Sequence, residues 1–114
     1  MAFEYEKRQA MRILAGIENG SMSAWQSRDL LEEADPALAY FIVAWLRAHY
    51  PPSHPASDGV LGRLVEICTQ NPAIPRLLKT GEADALVGWF EETHRYRDLE
   101  RRAFIDLVVE KLEG

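Results

Sequence analysis

Residues 36–49 read Pro36-Ala-Leu-Ala-Tyr-Phe-Ile-Val-Ala-Trp-Leu-Arg-Ala-His49, and this stretch decides the fold. Asp35 precedes it as a favourable helix N-cap, and Pro36 suits the first helical position, where its missing N–H costs nothing. From Ala37 to Leu46 the stretch is apolar on every side, and a helix without a polar face must be surrounded by other elements. We therefore expect a central buried helix over about 36–49.

Two amphipathic helices are predicted before this central one. The first covers about 3–18 and ends at Asn19-Gly20, because both residues tolerate the left-handed conformation that closes helices. Ser23 followed by Gln26 is a capping-box pattern, which predicts a second helix over about 24–34.

The chain after residue 50 is predicted to form one loop and four shorter helices. Three prolines end the central helix and define a loop over 50–57. The expected elements are a fourth helix capped by Ser57 or Asp58, a short fifth opened by Asn71-Pro72 and ended by Gly81, a sixth over about 82–94 and a seventh over about 98–112. The apolar phase of the sixth helix does not continue into the seventh, so we expect a bend near 95–98 rather than one long rod.

Together these elements predict an all-α protein, with 1–114 as a single helical domain. No segment alternates polar and apolar residues over the length of a strand. Six or seven short helices with short links favour a compact angled array around the central helix over a long four-helix bundle. The composition, 47% hydrophobic and 27% charged, is ordinary for a globular chain.

Charge and cysteine usage narrow the possible environments of the protein. The formal net charge is −5 and neither half of the chain is basic, so the electrostatic footprint of a duplex-binding protein is missing. The ten apolar residues 37–46 would span about 15 Å as a helix, half of a bilayer's hydrocarbon thickness. With one cysteine and a charged start, we expect a cytoplasmic protein with no membrane association.

Residues capable of metal binding or catalysis are few and poorly spaced. A zinc site would have to combine His49, His54 and Cys68, at a spacing that matches no recognised pattern. The single Glu-x-x-His, ending at His94, lacks the second copy that di-iron helical proteins need. Cys68 completes an apolar helical stripe and is expected to be a buried hydrophobic residue. We expect no metal, no cofactor and no enzymatic activity, and keep a small-ligand or metal site at the His49–His54 loop as an alternative.

A basic cluster over 94–102 gives a second alternative. Arginines interleaved with Tyr96 can stack a base and hold phosphates. Acidic residues at helical spacing predict instead a salt-bridged helix surface. The expected ion pairs are Glu91–Arg95 and Asp98–Arg102, four positions apart, and Glu92–Arg95 and Asp98–Arg101, three positions apart. We therefore do not expect nucleic-acid binding, and keep an accessory nucleic-acid role of this cluster, through Arg95, Arg97, Arg101 and Arg102, as the second alternative.

Protein–protein interaction is the function that the pattern favours. The apolar arc of the seventh helix is wide, with Leu107 and Val109 about 200° apart around the axis. Tryptophans that flank a core are enriched in interfaces. The sequence predicts a non-catalytic adaptor or regulatory protein that binds another protein or itself as a homodimer. The expected interface residues are Trp25, Trp89, Ile105, Val109 and Leu112.

Overall fold

The computed structural model describes residues 3–51, 53–79, 92 and 94–113. Within these ranges the chain forms six α-helices and no strand, which confirms the predicted all-α class. The helices are α1 Glu4–Asn19, α2 Ala24–Glu32, α3 Pro36–His49, α4 Val60–Thr69, α5 Ile74–Leu77 and α6 Arg101–Glu113. Two 3-10 turns, Pro55–Asp58 and His94–Tyr96, precede α4 and α6. None of the helices in these ranges has both the length and the apolar content that a bilayer span requires.

Helix α3 is the centre of the fold, as the sequence predicts. It packs against α1, α4, α5, α6 and the turn at 94–96. Every side chain from Tyr40 to Leu46 is at most 6% exposed. The predicted cap is present, because the Asp35 carboxylate accepts a hydrogen bond of 2.9 Å from the Ala37 N–H.

The link between α1 and α2 is short because two glycines shape it. Gly20 ends α1 with φ +76°, a left-handed conformation that L side chains rarely adopt. The chain then folds back on α1, where the Met22 N–H donates to the Gly16 carbonyl at 3.1 Å. A Cβ at Gly16 would lie only 3.1 Å from the Met22 Cβ, so a larger residue there would require Met22 to shift.

Helix α2 opens with the predicted capping box. The Gln26 N–H donates to the Ser23 hydroxyl at 3.1 Å, and the Ser23 N–H donates to the Gln26 side-chain oxygen at 2.9 Å. These reciprocal bonds satisfy two groups that would otherwise lack partners at the helix start. The first turn of α2 is therefore fixed by its own sequence.

Several predicted helix starts and ends are wrong by a few residues. Helix α2 ends at Glu32, short of the expected 34. Helix α4 begins after Gly59 without a side-chain cap, because the predicted caps Ser57 and Asp58 belong to the preceding 3-10 turn. Helix α6 begins at Arg101 instead of about 98, because turns occupy 97–99.

The segment between α5 and α6 is described only in part. The predicted start of α5 at Asn71-Pro72 is wrong, because α5 begins at Ile74 after Ala73, without a side-chain cap. The Asn71 side-chain oxygen accepts from the Ala73 N–H at 3.0 Å in the turn that precedes the helix. The predicted stop at Gly81 and all of the predicted sixth helix except residues 92 and 94 lie outside the described residues. The 3-10 turn at 94–96 and the turns that follow it interrupt α-helical bonding where a bend is expected.

Candidate functional site

The outer surface of α2 presents the most exposed tryptophan of the described residues. Trp25 is 71% exposed in the first turn of α2. The guanidinium of Arg28 lies over its ring, 5.6 Å from the centroid. Arg28 in turn donates to the Glu32 carboxylate at 3.1 Å. We call these three residues, Trp25, Arg28 and Glu32, the Trp25 face.

The geometry of the Trp25 face follows from helix periodicity. Its members are three and seven residues apart, so their side chains project along one side of the helix. An exposed ion pair of this kind contributes little to stability. Its structural effect is to hold the guanidinium against one side of the indole ring of Trp25 and leave the rest of the ring open to solvent.

A small pocket opens near the first turn of α2, where α1, α2, α4 and the end of α3 meet. Its volume is about 210 Å³. Its walls are of mixed polarity, and Glu18, Ser27 and Tyr50 are the polar residues that line it. The lining residues are Ile17, Glu18, Met22, Ser27, Tyr50, Val60, Leu61 and Leu64. We call it the Glu18 pocket.

The carboxylate of Glu18 is held at both oxygens. The Trp45 indole Nε1 donates to Oε1 at 2.7 Å, and Arg101 Nη2 donates to Oε2. The Arg101 guanidinium also lies 5.2 Å from the centre of the Trp45 ring. Since α1, α3 and α6 supply one residue each, this carboxylate joins three helices.

Tyr50 lies close enough to the Glu18–Arg101 pair for both charges to affect its pKa. Burial raises the pKa of the Tyr50 hydroxyl, the negative charge of Glu18 raises it further, and Arg101 lowers it by a smaller amount. Arg101 itself does not line the pocket. The Glu18 pocket therefore lies beside a carboxylate that is already paired with a guanidinium.

His49 ends α3, as predicted, and is enclosed by aromatic rings. Its ring stacks on Trp45 with centroids 3.7 Å apart and meets Phe104 edge-on at 6.0 Å. Its Nδ1 lies 3.0 Å from the Trp45 carbonyl oxygen. His54 is exposed and packs edge-on against Tyr50, with centroids 5.3 Å apart.

The described residues do not bring the predicted metal ligands together. Cys68 is completely buried on α4, and burial raises the pKa of its thiol to about 12. No three His, Cys, Asp or Glu side chains within 3–51, 53–79 and 94–113, or at 92, lie close enough to hold a metal ion. The buried thiol matches the prediction of a core residue on an apolar stripe.

The predicted interface residues separate into different environments. Ile105 and Val109 are 1% and 8% exposed, because α6 turns this side toward α1 and α3. These two side chains belong to the core of the single chain and offer no contact surface to a second one. Leu112 is half-buried, Trp25 is exposed as expected, and Trp89 lies outside the described residues.

The basic cluster also differs from its predicted pairing. Arg101 binds Glu18, and Glu92 binds Lys111 at 2.9 Å instead of Arg95. The expected ion pairs from Asp98 to Arg101 and Arg102 are not formed in the described part of the chain, because Asp98 lies before α6, outside helical spacing. The predicted pair of Arg95 with Glu91 falls outside the described residues.

Tyr96 is likewise not an open stacking platform. Its ring lies under the Lys111 ammonium, 5.4 Å from the centroid. With Arg101 bound to Glu18 as well, two of the groups that the nucleic-acid alternative requires are already engaged within the chain.

The role of Glu18 was not predicted from the sequence. Glu18 and Arg101 are 83 residues apart, and no local spacing relates them. The available signal was weak: a glutamate in the last turn of α1, where a negative charge opposes the helix dipole and needs a partner.

Comparison of the chain with protein families, with curated proteins and with solved structures finds no match.

Proposed function

We propose that this protein is a non-catalytic protein-binding module, an adaptor or regulatory subunit, whose partner packs on the Trp25 face. The observation that carries the proposal is the 71% exposure of Trp25. A tryptophan supplies a large apolar area with one polar N–H, and such residues dominate the binding energy of many interfaces.

The setting of Trp25 supports a binding role. Arg28 and Glu32 restrain one side of the indole, and a side chain that is already ordered loses less entropy when a partner binds. Tryptophan and arginine together are typical of interface hot spots.

Three side chains of types that can act in catalysis are bonded, stacked or buried within the fold, which favours a binding role over catalysis. Both Glu18 oxygens accept hydrogen bonds, and the His49 ring is stacked on Trp45. The raised pKa of the Cys68 thiol leaves almost none of it as the reactive thiolate near neutral pH. These contacts support a structural role for all three side chains.

Self-association is part of the proposal, with the contact placed on α2 instead of α6. Two-fold dimers are the commonest oligomers, and a two-fold axis through this surface would pair the Trp25 face with itself. A cytoplasmic location is also proposed, because a buried single cysteine needs no oxidising compartment.

The test compares binding by matched surface variants. Immobilised protein, Trp25→Ala and Tyr5→Ala are exposed to the same native lysate, and each captured protein is quantified. Tyr5 is a suitable control because it is 69% exposed on a different helix, α1. We expect a specific partner whose capture falls at least about tenfold in Trp25→Ala and is unchanged in Tyr5→Ala, as for an interface hot spot. Equal capture by Trp25→Ala and the parent would contradict the proposal.

A further inference from the structure

A cleft between α1 and α6 has the size of a small-molecule site. It encloses about 390 Å³, within the range of about 300–1,000 Å³ that such sites usually occupy. Apolar atoms form the larger part of its surface. Its lining residues are Glu4, Lys7, Arg8 and Met11 from α1 and Arg102 and Ile105 from α6. We call it the Arg8 cleft.

Each of the two helices turns one side toward this cleft. The four α1 residues follow the spacing i, i+3, i+4 and i+7, which places them on one side of the helix. The two α6 residues are three positions apart and share a side in the same way. Ile105 is 1% exposed and Met11 is half-buried, so these two side chains lie deepest. The charged side chains therefore surround an apolar floor.

Lys7 binds two carboxylates, one from each helix. Its ammonium lies 2.5 Å from Asp106 on α6 and 3.5 Å from Glu4 on α1. The hydrogen bond to Asp106 is the main reason why the pKa of Lys7 is raised. Glu4 lies four positions before Arg8, the usual spacing of a helical ion pair. Asp106 lies four positions after Arg102 in the same way. Lys7 therefore takes the carboxylates that local spacing would give to two arginines.

Arg8 and Arg102 are available to bind an anion. Both side chains are exposed, and neither guanidinium forms a hydrogen bond or an ion pair with another residue of the described ranges. They come from different helices and line the same cleft. With Asp106 included, three basic side chains face two acidic ones here, although the whole chain has a net charge of −5. The unbalanced positive charge at the cleft complements a monoanion.

We propose that the Arg8 cleft binds a small aliphatic monocarboxylate, the class to which short-chain fatty acids belong. The guanidinium groups of Arg8 and Arg102 bind the carboxylate, whose two oxygens match the donor geometry of arginine. The hydrocarbon part of the ligand covers Met11 and Ile105. A phosphate monoester carries nearly two negative charges near neutral pH and would exceed the local positive charge. None of the lining residues belongs to α2, so this site is separate from the Trp25 face.

The first test uses hexanoate and two analogues as probes. Hexanoate, the neutral 1-hexanol and acetate are each titrated into protein labelled with ¹³C at the methionine methyl groups. The Met11 methyl resonance reports on the cleft, and Met22, which lines other pockets, is the internal reference. We expect a saturable shift of the Met11 resonance with hexanoate, with a Kd on the order of millimolar. Hexanol lacks the charge and acetate lacks the chain, so each should bind at least about tenfold more weakly.

Three outcomes of these titrations would overturn the proposal. One is the absence of a saturable Met11 shift with hexanoate. Another is equal binding of hexanoate and either analogue, because the site would then not require both the charge and the chain. The third is tighter binding of hexyl phosphate than of hexanoate, which would assign the cleft to phosphate esters.

Matched arginine variants make the test specific. Arg8→Gln and Arg102→Gln each remove one charge at an exposed position, so circular dichroism should show unchanged helicity. Each should weaken hexanoate binding at least about fivefold, and the double variant at least about tenfold. Arg12→Gln is the control, because Arg12 is exposed on α1 one turn after Arg8 and lines a different pocket. It should change the Kd less than about twofold. Unchanged binding in the double variant, or an equal loss in Arg12→Gln, would contradict the assignment.

Discussion

Trp45 and Glu18 are 27 residues apart in the chain, yet the indole Nε1 of Trp45 donates a hydrogen bond of 2.7 Å to the Glu18 carboxylate. The bond joins α3 to the last turn of α1. Arg101, at the start of α6, donates to the other oxygen of the same carboxylate. One glutamate side chain therefore joins three helices.

The stability of the fold should depend strongly on Trp45. Trp45→Ala removes a buried ring that packs on His49 and Phe104 and should lower the free energy of unfolding by about 3–5 kcal/mol. Trp45→Phe keeps a ring but loses the hydrogen bond to Glu18, and should cost about 1–3 kcal/mol. Urea denaturation followed by circular dichroism measures both, with the exposed Trp25→Phe as a control that stays within about 0.5 kcal/mol. A Trp45→Ala protein as stable as that control would contradict the central position of α3.

The features that the sequence predicts correctly are local. The Asp35 cap, the Ser23–Gln26 capping box and the apolar circumference of α3 each follow from a few neighbouring residues. The Glu18–Arg101 contact depends on how α1 and α6 pack, which no spacing within either helix encodes. The wide apolar arc on α6 predicted a surface at Val109 for contact with a second chain. In a small array of angled helices, however, neighbouring helices cover a short helix from more than one side, and Val109 is buried.

Replacing Gly20 should destabilise the protein, although a new side chain at this position would meet no neighbouring residue. No atom lies within 4 Å of the position that a Cβ would take, so steric contact with neighbours is not the cause. Its φ of +76° is the cause, since an L-residue in this conformation costs about 1–2 kcal/mol. Gly20→Ala should lower the free energy of unfolding by about 1 kcal/mol and Gly20→Asn by less, because asparagine tolerates the left-handed region. An unchanged melting curve for Gly20→Ala would show that α1 ends in another way.

Cys68 should be unreactive in the native protein. Burial raises the pKa of its thiol from 9.0 to about 12, so the thiolate fraction near neutral pH falls roughly a thousandfold. We expect labelling by a thiol reagent to be at least about a hundredfold slower in buffer than in denaturant. Rapid labelling of the folded protein would place the apolar stripe of α4 on the surface.

The same burial predicts a loss of stability at alkaline pH. In the folded state the pKa of Cys68 is raised, so above pH 9 the unfolded chain releases this proton while the folded chain retains it. The contribution of the protonated Cys68 thiol to the free energy of unfolding is fully present below pH 9. It is lost toward pH 12 at about 1.4 kcal/mol per pH unit. Burial also raises the pKa of Tyr40, which extends the decline above pH 10. Urea titrations from pH 8 to 10 should show a shallower decline for Cys68→Ala than for the parent, and equal slopes would contradict the prediction.

Val109 distinguishes a core position from an interface position on α6. Its side chain is 8% exposed, and Ile105, one turn earlier, is 1% exposed. Val109→Glu should therefore place an unpaired carboxylate in the core and lower the free energy of unfolding by about 3 kcal/mol or more. Thermal melting followed by circular dichroism measures the loss, and Trp25→Glu, at a position 71% exposed, should melt within a few degrees of the parent.

Light scattering over a dilution series measures the oligomeric mass of the parent and of both variants. If the protein dimerises through the Trp25 face, Trp25→Glu should reduce the mass to that of one chain while helicity stays intact, because a negative charge would meet its own copy across the two-fold axis. A stable, fully helical Val109→Glu protein with half the parent mass would instead restore the α6 surface as the contact between chains. It would also require α6 to lie in the assembly with Val109 turned away from the core.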